Sequence, residues 1–356
     1  MVVELQLQCM SISVIKQKTK KLITMKDLST TFFGLPVKNP IIVGSSGLAS
    51  TIGGIKKLAD NGAGAIVLKS VFEEEILSEA DNTVNQQLGA DENNMEFFDY
   101  YDYQVKRDVL DNYVSLIHEA KSKVDVPIIG SINCSSSSEW ISYAKRIEKA
   151  GADALELNIF KLPSDVHANS EKIEKIYFDI AKRIKDHISI PVGLKVAPYF
   201  TNMANVISRL SYSGVEGIVL FNRFTSVDFD IETDQFTTRN VYSSNDEYGM
   251  SLRWISIMAD KVGCDLIAST GVHDATTLIK MVMVGAASVE VVSAIYKNGP
   301  EIIGSIIKEM EAWMERRGFN SLNDFKGQMS QKESDCPEVF ERVQFMKYFS
   351  DHAVKL

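Results

Sequence analysis

The chain has 356 residues, 45% of them hydrophobic and 24% charged, with a formal net charge of −9 and an isoelectric point near 5.2. That acidic balance argues against nucleic acid or an anionic membrane as partner, and no run of about 18 apolar residues is present to cross a bilayer. Cys9, Cys134, Cys264 and Cys336 are scattered without metal-ligand spacing, as are the five histidines, so no metal is expected and a reducing cytoplasm is the expected setting.

Residues 1–24 contain Lys16, Lys18, Lys20 and Lys21 but no clean apolar segment of a signal peptide. They read as an N-terminal extension, disordered or lying upstream of a true start at Met25. Residues 25–327 then carry one repeating pattern, and 328–356 form a polar tail with a short helix expected near Pro337–Phe349.

Within 25–327, short apolar runs alternate with amphipathic segments. IIVG follows Pro40, AIVLK follows Asn61-Gly62-Ala63-Gly64, IIGSI follows Pro127, and ALELN follows Gly151-Ala152-Asp153. VGLKV follows Pro191, GIVLF follows Gly214-Val215-Glu216, Leu266–Ala268 comes next, and Val289–Val292 follows Gly285-Ala286-Ala287. Glycine just past a helix takes the left-handed cap conformation cheaply, so its recurrence marks helix ends. Continuous apolar runs suit parallel strands buried on both faces, and segments such as Glu139–Ala150 and Leu278–Val284 carry helical spacing between them. The alternation predicts an α/β protein of the (β/α)8 TIM-barrel type, with an open doubly wound sheet as the alternative arrangement.

Two long excursions break the pattern, from Lys69 to a helix near Gln104 and from Phe221 to Gly249. Both follow strand C-termini, the catalytic face of a barrel, which makes them candidate functional loops; a surface ornament or an oligomer contact is the other reading. Just past the strands stand Ser45-Ser46-Gly47, Lys69-Ser70, Ser131, Asn158, Lys195, Asn222-Arg223, Thr270-Gly271 and Ser293. Small residues after the last two strands suit backbone N–H contacts to a phosphate. Lys69 and Lys195 end apolar strands, so their stems are expected to run through core surroundings. Each then needs an anion or an electron-rich ring nearby, or an internal ion pair such as Lys195 with Glu156.

From Leu28 to Gly327 this series resembles the class 1 dihydroorotate dehydrogenases. The likeness is carried by Asn39-Pro40 with Ser45-Ser46-Gly47, Ala65–Ser70, Phe98–Tyr101, Glu156-Leu157-Asn158, Val192–Phe200, Ile267–Val272, and Gly285–Gly327 ending in Gly318-Phe319 and Asp324-Phe325. The resemblance implies an FMN-dependent oxidoreductase that converts dihydroorotate to orotate in pyrimidine synthesis, assembled as a homodimer; with no membrane-anchoring helix in the sequence, a soluble electron acceptor is expected over quinone. Ser45, Ser46 and Gly47 would lie along the flavin, with Lys69 and Ser70 at its polar edge. Lys195 would face the ring's N1/O2 side, and Thr270, Gly271, Ser293 and Gly249 would serve the phosphate. Asn158, which also belongs to the cofactor set, would bind substrate together with Asn222, Asn94 and Lys69.

The chain departs from that family at several places. Asn158-Ile159-Phe160-Lys161-Leu162-Pro163 stands where the family has Asn-Leu-Ser-Cys-Pro-Asn, so Lys161 occupies the position of the catalytic base. A lysine works as a base only when burial or neighbouring cations lower its pKa, and a solvated loop lysine is the plain alternative. The substrate loop shortens to Asn93-Asn94-Met95, and Glu247 brings a negative charge beside the phosphate position. Alternative functions are therefore an FMN oxidoreductase for another cyclic amide, a Schiff-base lyase or aldolase using Lys195, Lys69 or Lys161, and a non-catalytic flavin- or phosphate-binding barrel.

Overall fold

The computed structural model describes residues 26–72, 95–133, 139–224, 227–238 and 240–342. The expected N-terminal extension, Asn94 and most of the first excursion lie outside these residues.

The chain enters through a small antiparallel hairpin, β1 (Thr30–Phe32) and β2 (Leu35–Val37). The barrel strands follow as β3 (Ile41–Val43), β4 (Ala65–Val67) with its continuation β5 (Val71–Phe72), β6 (Ile128–Asn133), β7 (Ala154–Ile159) and β8 (Val192–Val196). After β9 (Gly217–Leu220) comes an inserted antiparallel hairpin, β10 (Val227–Asp230) with β11 (Gln235–Thr238), and then β12 (Asp265–Ala268) and β13 (Ser288–Val291) complete the wall. Parallel pairing runs β3–β4–β6–β7–β8–β9–β12–β13 and returns to β3, which closes an eight-stranded (β/α)8 barrel. Closure leaves no sheet edge, the physical gain over the open sheet considered above.

The helices are α1 (Ile52–Asp60), α2 (Met95–Lys123), α3 (Glu139–Lys149), α4 (Ser170–Lys185), α5 (Met203–Ser211) and α6 (Gly249–Met258), then α7 (Ala275–Val284), α8 (Ser293–Asn298), α9 (Glu301–Arg317) and α10 (Val339–Arg342). Gly62, Gly151, Gly214 and Gly285 all take positive φ at the helix ends where the sequence pattern put them. α2 begins well before Gln104, so part of the first excursion is helical. The segment after residue 327 stays on the barrel, where Met329 N donates to Met283 O of α7 and Gln331 N to Ser256 O of α6.

Two apolar layers result. The outer one lies between the strands and the helices. The inner one fills the lower lumen with Phe32, Phe33, Val37, Ile42, Ala65, Val67, Ile129, Ala154, Val219 and Ile267. The β1–β2 turn drives the fully buried Phe33 ring into the barrel floor. A Cβ on Gly193 would lie 2.0 Å from that ring and one on Gly217 2.4 Å, so β8 and β9 carry glycine where the plug passes. The lower lumen is thus a packed core, and only the C-terminal mouth is open to chemistry.

Candidate functional site

At the C-terminal ends of the strands lies a cavity of about 360 Å³. Ser45, Ser46 and Gly47 line it together with Ser70, Asn158, Lys195 and Asn222, and with Lys69 at its exposed rim. Thr270, Gly271 and Ser293 line the far side. Every described residue of the predicted set shares this space except Lys161 and Gly249. Gly249 opens α6 beyond the lining. Lys161 is exposed in the loop after β7, where its backbone N donates to Tyr177 Oη at 3.3 Å.

The two strand-end lysines differ. Lys69 is exposed at the mouth, contrary to the expectation that both stems run through the core; it follows the end of β4 at Val67 and stands between buried Leu68 and buried Ser70. Lys195 is 7% exposed, in the middle of an otherwise apolar strand. Its Nζ donates to Glu290 Oε2 at 2.6 Å. The internal partner is therefore Glu290 on β13, and Glu156 of β7, the example of a partner that the sequence offers, adds its charge beside it. Burial by itself would lower the Lys195 pKa, but the charges of Glu290 and Glu156 outweigh it and hold the ammonium above its usual range. Burial pushes Glu156 far above the usual carboxylate range, helped by the Glu290 charge and opposed by Lys195.

A line of hydroxyls leads from these groups to the cavity wall. Ser131 Oγ donates to Glu156 Oε1 at 3.3 Å, Ser70 Oγ lies 2.7 Å from Ser131 Oγ, and Ser45 Oγ lies 3.0 Å from Ser70 Oγ. The Ser70 backbone N donates to Ser45 Oγ at 2.9 Å, and Tyr113 of α2 clamps Ser131 by accepting from its N at 2.9 Å. Register places Ser131 of β6 opposite Glu156 of β7, and the β5–β6 pairing, with Val71 opposite Ile132, brings the preceding Ser70 beside Ser131.

Above this layer Asn222 Nδ2 donates to Asn158 Oδ1 at 2.5 Å. That bond fixes both amides and leaves the Asn158 amino group and the Asn222 carbonyl turned to other partners. A donor beside an acceptor matches the edge of a cyclic amide.

The far end has a different character. Thr270 and Gly271 both take positive φ, uncommon for a β-branched threonine and a mark of strain that functional loops often carry. A Cβ on Gly271 would sit 2.2 Å from Tyr248 N, so only glycine lets the 247–248 backbone close on this turn. Ser243 N donates to Ser293 Oγ at 3.0 Å, its Oγ meets His273 Nε2 at 2.9 Å, and Lys297 Nζ donates to its carbonyl at 2.7 Å. Glu247, expected to oppose an anion here, is engaged by Arg223 at 2.8 Å and by Ser244 N at 2.7 Å. Burial would raise its pKa, but Arg223 and Ser244 prevail and keep it below the usual carboxylate range.

Sequence reading missed Glu290, Ser243 and His273. The signal for Glu290 was present: a carboxylate inside the apolar run SVEVV, like Glu156 in ALELN and Lys195 in VGLKV. Three charges at inward positions of three strands must meet in the lumen. Cations at one end and small-residue loops at the other, within one cavity, form a donor set that fits a flat ring carrying a phosphate tail.

Comparison with known proteins agrees with this geometry. The family model described as Dihydroorotate dehydrogenase matches residues 27–314. The chain is 25% identical over 321 residues, 85% of its length and 99% of the relative's, to the catalytic subunit of dihydroorotate dehydrogenase B (NAD(+)) from Thermoplasma acidophilum. It is 26% identical over 308 residues to the same subunit from Methanocaldococcus jannaschii, covering 82% of this chain and 95% of that one. The NAD-dependent dihydropyrimidine dehydrogenase subunit PreA of Escherichia coli K12 is 24% identical over 327 residues, with 85% and 76% covered. Among the described residues no helix is long and apolar enough to cross a membrane.

Proposed function

Because the chain belongs to the dihydroorotate dehydrogenase family, we propose that it is an FMN-dependent oxidoreductase acting on the CH–CH unit of a dihydropyrimidine, with dihydroorotate as its first candidate substrate. The observation that carries this reading is the single cavity in which the fixed Asn158–Asn222 pair, Lys69 and Lys195 face the small-residue loops at Thr270, Gly271 and Ser293. Ser45, Ser46 and Gly47 would flank the ring, and the 270–271 and 293 turns would hold the phosphate. FMN, when bound, supplies the acceptor for a hydride.

The chain's own residues do the rest. Asn158 and Asn222 bind the amide edge of the ring substrate and set which carbon faces the cofactor. Lys195 holds a positive charge under the site in every state near neutral pH, since its partners keep it protonated. Lys69, at the rim, attracts an anionic substrate. A second reading, a dihydropyrimidine other than dihydroorotate, is supported by the Escherichia coli relative and by the altered stretch Ile159–Leu162. The dehydrogenase B relatives are named as catalytic subunits, which supports a further subunit as the electron-transfer partner of this chain too.

The test is spectroscopic. Purified protein supplied with FMN should take up the flavin, and dihydroorotate added anaerobically should bleach it. Failure to take up FMN overturns the proposal. Bleaching by dihydrouracil or dihydrothymine but not by dihydroorotate selects the second reading.

A further inference from the structure

The lumen under the cavity holds an acid–base arrangement that pairwise ion-pair reasoning leaves incomplete. Glu156 is 0% exposed and Glu290 3%. Glu290 Oε2 accepts from Lys195, and Glu156 Oε1 accepts from Ser131. The remaining oxygens, Glu156 Oε2 and Glu290 Oε1, are both buried and have no donor among the described groups. The two carboxyl groups interact directly, and two orphaned oxygens on such neighbours are costly if both groups are ionised, whereas one proton held between them satisfies both at once. With that proton the trio Lys195, Glu290 and Glu156 carries no net charge, the state a buried cluster favours.

The hydroxyl line then has a fixed direction. Ser131 donates to Glu156, so its lone pair takes the proton of Ser70. Ser70 has donated to Ser131, so it accepts from Ser45. Ser45 lines the cavity, and the free end of the line is therefore an acceptor.

We propose that Glu156 and Glu290 share one proton and act, through Ser131, Ser70 and Ser45, as the terminal proton acceptor of this cavity. The use of that acceptor rests on the dehydrogenase reading above. In substrate oxidation a C–H proton would pass to Ser45 Oγ, and FMN, when bound, would supply the acceptor for the hydride. Each hydroxyl hands its own proton inward, Ser131 protonates Glu156 Oε1, and the proton on Glu156 Oε2 moves to Glu290 Oε1. The trio ends with one positive charge, on Lys195. Reversal of the same steps returns the proton. Tyr113, which accepts from Ser131 N and donates to its carbonyl, is the other titratable group against this line, and burial keeps it neutral.

Infrared spectroscopy of the full chain without added flavin tests the shared proton. A protonated carboxylic acid band should be present at neutral pH and vanish in Glu156→Gln. It should vanish in Glu290→Gln as well, because Glu156 then ionises against Lys195. In Ser131→Ala the band should move to higher frequency as Glu156 loses a donor. Absence of the band in the unmodified protein, its survival in Glu290→Gln, or an unmoved band in Ser131→Ala each overturns the arrangement. With FMN loaded and dihydroorotate as probe, Ser131→Ala should slow bleaching by about a hundredfold or more, the range of general-base contributions, with substrate affinity unchanged, and Ser131→Thr should restore the rate. Unslowed bleaching in Ser131→Ala overturns the relay. If no dihydropyrimidine bleaches the flavin, the functional reading falls, and the three infrared results still decide the proton-sharing line.

Discussion

The lower and upper halves of one barrel lumen are buried alike and built on opposite principles. Below, Phe33 and its neighbours form an apolar plug whose only demand is shape, met by glycine at 193 and 217. Above, Lys195, Glu290, Glu156 and Ser131 are as buried, but each is held by a charge or a hydrogen bond. The first kind of burial stabilises the fold by itself. The second persists because removing any one partner strands another, so it serves a site more than it serves stability.

Breaking the plug should have the largest effect. Phe33→Ala leaves a cavity under the barrel and should cost about 3–5 kcal/mol, read as a lower urea midpoint, with FMN uptake at the mouth retained. Gly193→Ala tests the same half from the other side. The new methyl meets the Phe33 ring and should cost about 1–3 kcal/mol, recovered in part by adding Phe33→Leu.

The upper half should respond to pH instead. The raised pKa of Glu156 means the folded state binds its proton more tightly than the unfolded chain does. Its stabilising contribution is therefore full below the unfolded carboxylate pKa and is lost as pH rises through the folded one. Glu156→Gln should remove that part of the decline, which denaturation curves across pH would detect. Glu247 has the opposite sign: its lowered pKa stabilises above the unfolded carboxylate range and is lost on acidification. Being partly exposed, its pair with Arg223 should be worth about 0.2–1 kcal/mol, and Glu247→Gln should lower stability by that amount while tightening FMN binding modestly. The smallest effect is expected at Lys161, which lies outside the cavity lining. Lys161→Ala should change stability by no more than about 0.5 kcal/mol, and the bleaching rate should stay near that of the unmodified protein, in contrast to Ser131→Ala.

The barrel was legible because its signals are local. Apolar runs at 41–44, 65–69, 128–132 and onward, with Gly62, Gly151, Gly214 and Gly285 closing helices, need only neighbouring residues to be read, and the strands lie where those runs are. Strand-end position likewise brought Ser45, Lys195, Asn222 and Thr270 into one cavity. Lys161 also follows a strand, yet its side chain is exposed, since a loop residue's direction depends on what packs beneath it, here Tyr177. The antiparallel hairpin Val227–Thr238 was read only as an excursion, because its pairing needed a partner strand that composition does not reveal.

Residue order by itself determined the alternation of strands and helices and the strand ends that carry chemistry, since these follow from periodicity and from turn residues, while closure into a barrel came from the strand pairing. Only tertiary structure decided that Phe33 seals the floor, that Lys195 pairs with Glu290 across the lumen, and that three serines line up toward Glu156. Those contacts join positions from 25 to 160 or more residues apart. No local preference encodes them, because they exist only once barrel closure has brought opposite strands within reach.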